Sequence, residues 1–337
     1  MAAWICQVPA LFGGCPVGSK LTNAYRPRGM RSLIRRWPIL LIPHGVCLCR
    51  RKGAPGVSQF EQDGELNLVK ALRAALYESP EARLDLAALE IASIETPDLD
   101  PQPYLASLDH MASEIASRLK SGAGGREFVP AANRYFFDEL GYHGNEIDYN
   151  DPRNNCLDYV LDHHTGIPIA LSVVYIEVAR RLGRPVSGIG LPGHFIIEYN
   201  DGEFAAYIDP FHSGRLLSAD DCRQLARERT GAEADASALA PVGTRYILVR
   251  MLNNMRSAYF RSKQFEKMVA VTDLLLEGFP ENAGYYKARG LARLGMRQFR
   301  GAQSDLERYL KYAPEAEDRS QVTEQLGAIH RWLARMN

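Results

Sequence analysis

A repeat near the end of the chain constrains its fold more than any other feature of the sequence. Three short stretches recur 34 residues later, the first from position 264 to position 298. They are Gln264-Phe265 with Gln298-Phe299, Leu276 with Leu310, and Pro280-Glu281 with Pro314-Glu315. Helical hairpins of this length cannot bury their apolar faces alone, so neighbouring repeats must stack and be capped. We therefore predict an all-α array over residues 244–337, closed by a capping helix at 322–332.

The repeats resemble tetratricopeptide repeats, whose period is 34 residues. The second unit has the expected large, small and helix-ending residues at four positions, and the first unit has them at three. These residues are Tyr286, Gly290, Ala302 and Pro314, and then Leu252, Tyr259 and Pro280. Arrays of this kind offer an extended concave groove for peptides. The resemblance therefore implies a protein or peptide partner.

Upstream of the repeats, the pattern predicts a helical lead-in and then an α+β core. Apolar residues between 61 and 121 recur at spacings of three and four, which indicates amphipathic helices. We assign residues 58–125 to this lead-in and 126–225 to the core, followed by a connector at 226–243. The first 57 residues scatter Pro, Gly, Arg and Cys without a period. We interpret residues 1–57 as a disordered or non-native extension.

Within the core, helices precede a small antiparallel sheet. We interpret 133–155 as an ordered loop with aromatic anchors, and we predict helices at 157–163 and 169–182. The second helix is apolar almost throughout, which indicates burial. Three β-like runs follow at 186–189, 195–199 and 205–208, and Asn200-Asp201-Gly202 is a hairpin turn between the last two. A buried helix followed by an antiparallel meander predicts an α+β fold.

Charge and cysteine content narrow the functional class. Lys+Arg and Asp+Glu both number 40, so there is no electrostatic footprint for nucleic acid or an anionic membrane. The apolar run at 37–43 is too short to span a bilayer, which takes about 20 residues. Four of the six cysteines lie in the first fifty residues, which is not a disulfide framework. We predict a cytoplasmic protein that binds neither nucleic acid nor membrane and has no cofactor.

Two side chains in the core are candidates for chemistry. His194 heads one predicted strand and Asp209 ends the next. Adjacent antiparallel strands can bring the two together, where the carboxylate fixes the imidazole tautomer and stabilises its charged form. This arrangement supplies two of the three members of a thiol-enzyme triad. His143, His163, His164 and His212 lack metal-ligand spacing, and we predict no metal site.

The segment from about 136 to 222 resembles the transglutaminase-like fold, a relative of the papain-like thiol enzymes, in the branch called regulator of sirC expression. That branch resembles this chain also in its helical lead-in and C-terminal tetratricopeptide repeats. The resemblance therefore covers residue 58 onward. The stretches that carry it are LGYHGN from Leu140, DPRNN from Asp151, GIPIALS from Gly166, ARRLG from Ala179, LPGHF from Leu191 and IDPF from Ile208.

In active transglutaminase-like enzymes, the cysteine nucleophile lies at the start of the helix that precedes the His strand. A helix N-terminus and a neighbouring imidazolium lower the thiol pKa there. Here residues 167–170 are Ile-Pro-Ile-Ala, without a thiol. Cys156 lies one helix earlier, and Ser172 lies one turn inside the helix. Both remain candidates, Cys156 as nucleophile or buried structural thiol, and Ser172 as serine nucleophile, cleft lining or helix-bonding hydroxyl.

Three further residues, Asp151, Arg153 and Asn154, either line the cleft or lock a loop through side-chain bonds to the backbone.

Two functional hypotheses follow. The favoured one is a regulatory, protein-binding pseudoenzyme whose core has lost its nucleophile. The alternative is a thiol hydrolase or acyl transferase acting on amide or peptide bonds, with Cys156 as nucleophile, His194 as base and Asp209 orienting it. A wholly structural core, with all function in the repeats, is a third possibility.

Overall fold

A computed structural model describes residues 70–79, 82–231 and 236–336. The extension predicted at 1–57, and the first part of the lead-in, lie outside the described residues. The helices are α1 Lys70–Leu76, α2 Leu84–Ala92, α3 Gln102–Ser117, α4 Gly125–Asn133, α5 Leu157–His163, α6 Pro168–Arg181, α7 Ala219–Thr230, α8 Thr244–Ser262, α9 Phe265–Gly278, α10 Ala283–Gly295, α11 Phe299–Tyr312 and α12 Arg319–Met336.

The buried helix predicted at 169–182 is α6, and it organises the core. Every residue from Pro168 to Ala179 is buried, so this helix contacts protein on all sides. Its N-cap is Ile167, and Pro168 at its first position has the fixed φ that starts a helix well. Helices α2 and α3 of the lead-in pack on α6, and so do the turn after β5 and part of the sheet. α6 therefore lies between the lead-in helices and the sheet that carries the candidate residues.

Antiparallel pairing in the main sheet places the candidate residues. Its strand order is β6-β5-β4-β3-β7, and a separate parallel pair joins β1 to β2. Ile197 pairs with Ile208, so β4 begins beside the end of β5. His194 lies just before β4, and Asp209 is the last residue of β5. The strands are β1 His143–Gly144, β2 Thr165–Gly166, β3 Val186–Ile189, β4 Ile196–Asn200, β5 Ala205–Asp209, β6 Arg215–Leu217 and β7 Pro241–Val242.

The α+β fold with a small antiparallel sheet and C-terminal helical repeats is confirmed. Two details differ from the sequence analysis. Residues Arg134–Glu139, interpreted as loop, continue α4 as a π-helical segment, because Phe136 and Tyr135 are buried and hold the chain in helical form. Inside the segment interpreted as a connector, α7 continues to Thr230, and Pro241–Val242 adds a strand to the sheet.

The repeats pack directly on the rest of the described chain. One continuous cluster of buried apolar side chains extends from Leu72 to Ile329. At the contact, Tyr259 of α8 donates to Glu95 Oε1 at 2.6 Å, and Lys267 Nζ lies 2.8 Å from Glu95 Oε2. The lead-in and the core therefore close one end of the array together, which a short repeat series needs in order to bury its apolar face. None of the helices described is long and apolar enough to cross a membrane.

Candidate functional site

A tight turn before β4 fixes the position of His194. Gly193 has a φ of +71°, which favours glycine, and a Cβ there would lie 2.7 Å from the Arg229 Cβ. The His194 N–H donates to the Leu191 carbonyl at 3.1 Å. From α8, Arg250 donates to the carbonyls of Leu191, at 3.1 Å, and His194, at 2.5 Å. The first repeat helix therefore holds the loop that carries the candidate histidine.

The predicted pairing of His194 with Asp209 is present, and both side chains are buried. The His194 Nε2 lies 2.9 Å from Asp209 Oδ2. The second carboxylate oxygen, Oδ1, accepts from the Phe211 N–H at 3.1 Å, which fixes the carboxylate plane. With Nε2–H bonded to the carboxylate, the neutral imidazole carries its lone pair on Nδ1. The pair therefore presents a histidine in one defined tautomer, which is what a base or a hydrogen-bond acceptor requires.

His212, which the sequence analysis considered only as a metal ligand, is a third member of the site. A 3₁₀ turn at Pro210–His212 brings His212 Nδ1 to 2.7 Å from the same Asp209 Oδ2. Burial by itself raises the pKa of the Asp209 carboxyl, but hydrogen bonds and charge from His194 and His212 outweigh it and hold the pKa below its usual value. The sequence signal for this contact is the run Asp-Pro-Phe-His. A proline after Asp starts a tight turn, which brings the fourth residue back to the first.

His194, Asp209 and His212 lie close enough together to raise the question of a metal site. One donor atom each from His194, Asp209 and His212 lies within 4.8 Å of the others, and the described residues contain no other such group. Ligand atoms around a tetrahedral ion with bonds of about 2.0–2.1 Å lie about 3.3 Å apart. The observed contacts of 2.7 and 2.9 Å are ordinary hydrogen-bond lengths. Hydrogen bonding accounts for this geometry without an ion.

At the start of α6, apolar residues fill the place where a nucleophile is expected. Ile167, Ile169 and Ala170 are all buried. Ser172, the candidate hydroxyl, is also fully buried and donates to the Pro168 carbonyl at 2.8 Å. A hydroxyl bonded to the carbonyl four residues back is occupied within its own helix. α6 therefore contains no thiol, and its Ser172 hydroxyl is bonded within the helix.

Cys156 is enclosed at the start of α5. Its side chain is 1% exposed, and Sγ donates to the Pro152 carbonyl at 3.9 Å. Burial, followed by the nearby Asp158 and Glu95 carboxylates, raises the thiol pKa well above its usual value. A thiol of this kind is protonated at neutral pH and is a poor nucleophile. No hydrogen bond joins it to His194 among the residues described.

The three polar candidates near residue 150 form an intramolecular lock. Asp151 caps the short 3₁₀ helix by accepting from the Arg153 N–H at 2.9 Å, and its carboxylate pairs with the Arg153 guanidinium at 2.6 Å. Asn154 is fully buried, accepts from Asn145 Nδ2 at 3.0 Å, and donates to the Asp148 carbonyl at 2.6 Å. These contacts fix the loop that leads into α5.

One glycine beside the site gives a testable prediction. Gly144 lies under the Phe211 ring, and an added Cβ would come within 2.6 Å of three ring atoms. We expect Gly144→Ala to lower the free energy of unfolding by about 1–3 kcal/mol, because the ring must move in a packed environment. Urea denaturation measures this loss. Gly124→Ala is the control, since its Cβ would meet nothing closer than 3.7 Å, and an equal loss there would contradict the packing argument.

Family models match two parts of the chain. A model of the transglutaminase-like superfamily matches residues 102–253, and a tetratricopeptide repeat model matches residues 255–327. The transglutaminase-like core and the C-terminal repeats are thus both present. The first match contains His194 and Asp209, and it continues into the helix that supplies Arg250.

Relatives with similar sequences include bacterial and mammalian proteins. A UPF0162 protein of Xylella fastidiosa is 39% identical over 232 residues, which is 67% of this chain and 83% of the relative. A UPF0162 protein of Pseudomonas aeruginosa is 28% identical over 247 residues, 72% of this chain and 89% of the relative. Human F-box only protein 21 is 30% identical over 166 residues, which covers 46% of this chain and 26% of that protein.

Proposed function

Because the chain belongs to the UPF0162 family and joins a transglutaminase-like core to tetratricopeptide repeats, we propose that it is a non-catalytic protein that binds other proteins through its repeats and regulates them. One observation carries the non-catalytic part. At the start of α6, where the resemblance places the cysteine nucleophile, residues 167–170 are Ile, Pro, Ile and Ala, which carry neither a thiol nor a hydroxyl. The described residues therefore offer the imidazole no activated nucleophile.

The repeats carry the binding part of the proposal. Tetratricopeptide arrays present helix faces to partners, and here the array is held rigidly because α8 packs on the core. A rigid surface binds with a smaller loss of conformational entropy than a mobile one. We propose the cytoplasm as the compartment, since Cys156 and Cys222 are both free thiols.

Chemical labelling distinguishes the non-catalytic proposal from the alternative hypothesis of a thiol enzyme that uses Cys156. We expect iodoacetamide at neutral pH to label Cys156 in the native chain at least about tenfold more slowly than in the denatured chain, because the raised thiol pKa and burial both withhold the thiolate. Mass spectrometry resolves the labelled peptides by position. The matched reference is Cys222, also buried, with a thiol pKa raised by burial to about 12.

The labelling result also tests the proposal against catalysis directly. Fast labelling of native Cys156 that disappears in His194→Ala would show a thiolate maintained by the imidazole. That outcome would favour the acyl-transfer enzyme and contradict the non-catalytic proposal. Slow labelling that is unchanged in His194→Ala supports the proposal, since the thiol then reacts only when the local structure opens.

A further inference from the structure

A pocket of about 410 Å³ lies where α8 crosses the loop that carries His194. Its loop side is formed by backbone at positions 190–193, and its helix side by polar and apolar side chains. The loop and helix are in direct contact there, because a Cβ at Gly190 would lie 2.6 Å from the Tyr246 hydroxyl. The lining residues are Gly190, Leu191, Pro192, Gly193, Tyr246, Val249, Arg250 and Asn253.

The helix side of this pocket continues along one stripe of α8. Tyr246, Val249, Asn253 and Arg256 follow one another at spacings of three and four, which places them on one helix face. Asn253 Nδ2 donates to the Tyr285 hydroxyl at 3.1 Å, and the Arg256 guanidinium lies 5.5 Å from the centre of the Tyr285 ring. We call this surface, from the pocket to Arg256, the α8 face.

The α8 face carries positive charge without carboxylate partners among the described residues. Arg250 donates only to backbone carbonyls. Arg256 makes no ion pair with a described residue, and its Nε is buried without a hydrogen-bond partner. Burial lowers the pKa of Arg256, although a guanidinium remains charged at neutral pH. Arg289 on the next repeat, by contrast, pairs with both Asp305 and Asp273.

A partly buried cation without a counter-charge is unusual because the desolvation of its charge is not offset. An anion is the natural partner for this cation, and because Arg256 Nε is buried while Nη1 and Nη2 are not among the buried unpaired atoms, a carboxylate can bind these two outer nitrogens with two parallel hydrogen bonds. Beside it, Tyr246 is 45% exposed and lies next to Val249, so the face also offers apolar contact. Cationic and apolar groups that alternate along a helix suit a peptide better than a uniformly charged polymer.

We propose that the α8 face binds an acidic peptide segment of a partner protein, with an Asp or Glu side chain on Arg256 and the adjoining residues in the pocket beside Gly193. This inference rests on the proposed binding function and names the chemistry of its partner. The site adjoins the His194 loop, so a peptide seated there contacts core and repeats together.

Selection from a random peptide library tests this on the full-length chain. Phage-displayed peptides are selected on the immobilised protein, and synthetic copies are titrated by fluorescence anisotropy. We expect enrichment of Asp and Glu over the unselected library, and a loss of at least about tenfold in affinity for Arg256→Gln, since a desolvated ion pair loses one partner. The control is Arg261→Gln, an exposed cation on the same helix, for which affinity should change less than about twofold.

The outcomes separate this inference from the proposed function. If no peptide is selected above background, the peptide-binding function itself is contradicted. If peptides are selected without acidic enrichment, or bind Arg256→Gln as tightly as the parent chain, the binding function stands and the α8 face is not its acidic site. Circular dichroism of each variant establishes that the fold is retained. A second variant, Tyr246→Ala, should weaken the same peptides, because it removes apolar contact without changing the charge.

Discussion

Replacing Asp305 by alanine should lower the free energy of unfolding by about 3–5 kcal/mol, because the change breaks a buried charge network within the repeats. Asp305 is 1% exposed. It accepts from Arg289 Nε and Nη2 at 3.0 and 2.6 Å, and from Arg293 Nη1 at 2.7 Å. These bonds join α10 to α11, which form the second repeat. Without the carboxylate, both guanidinium groups lose a buried partner. Removing one member of a buried charge network costs far more stability than replacing the whole network by apolar residues.

Urea denaturation followed by circular dichroism measures this effect. Asp220→Ala is the matched control, since Asp220 also pairs with an arginine, Arg223, but its side chain is 93% exposed. Exposed pairs contribute at most about 1 kcal/mol. Similar losses for the two variants would show that the network around Asp305 does not hold the repeats together.

A second large effect is expected at Asp85, where it depends on pH. Asp85 is fully buried and pairs with Arg83 at 2.8 Å and Arg181 at 2.8 Å. Burial by itself raises the pKa of this carboxyl, but hydrogen bonds from Arg83 and Arg181 outweigh it and leave the pKa below its usual 3.8. At neutral pH, Asp85→Asn should cost about 3 kcal/mol, because Arg181, which is 13% exposed, loses a charged partner.

The sign of the pH dependence follows from the lowered pKa. A carboxyl whose folded pKa is depressed contributes stability above its unfolded pKa and loses it as pH falls through the folded value. The difference in unfolding free energy between parent and Asp85→Asn should therefore be constant above about pH 5 and shrink below about pH 4. Urea titrations across this range measure it. The control is Asp109→Asn, because Asp109 binds the same Arg181 but is 69% exposed. A difference that persists at low pH would contradict the charged pairing.

Much of the fold could be predicted because the local patterns and the tertiary structure agree. The runs predicted at 186–189 and 205–208 coincide with β3 and with most of β5, and the Asn-Asp-Gly turn between β4 and β5 closes the hairpin. The strands β6 and β7 were missed because they have three and two residues. Strands this short carry too little periodicity to be distinguished from loop, and tertiary pairing alone defines them.

The site was predictable in part, for a related reason. The positions of His194 and Asp209 at the facing ends of two adjacent antiparallel strands were enough to predict that they lie side by side. The bond of His212 to Asp209 was not predicted, because it depends on how the turn after Pro210 closes rather than on any helix or strand period. The direction of the Cys156 side chain could not be predicted either, since the N-cap residue of a helix can face inward or outward according to packing. The unpaired Arg256 was also invisible, because the lack of a partner is a property of the whole fold.

The contact of Arg250 with the His194 loop has a thermodynamic consequence. Its guanidinium, carried by a repeat helix, donates to the Leu191 and His194 carbonyls. A ligand that draws this guanidinium away removes the donor from both carbonyls and loosens the turn that holds the imidazole. Linkage is reciprocal, so if displacing Arg250 changes binding at the imidazole by a given factor, binding at the imidazole changes affinity on the repeat side by that same factor. Arg250 is then the residue that couples the repeats to the core.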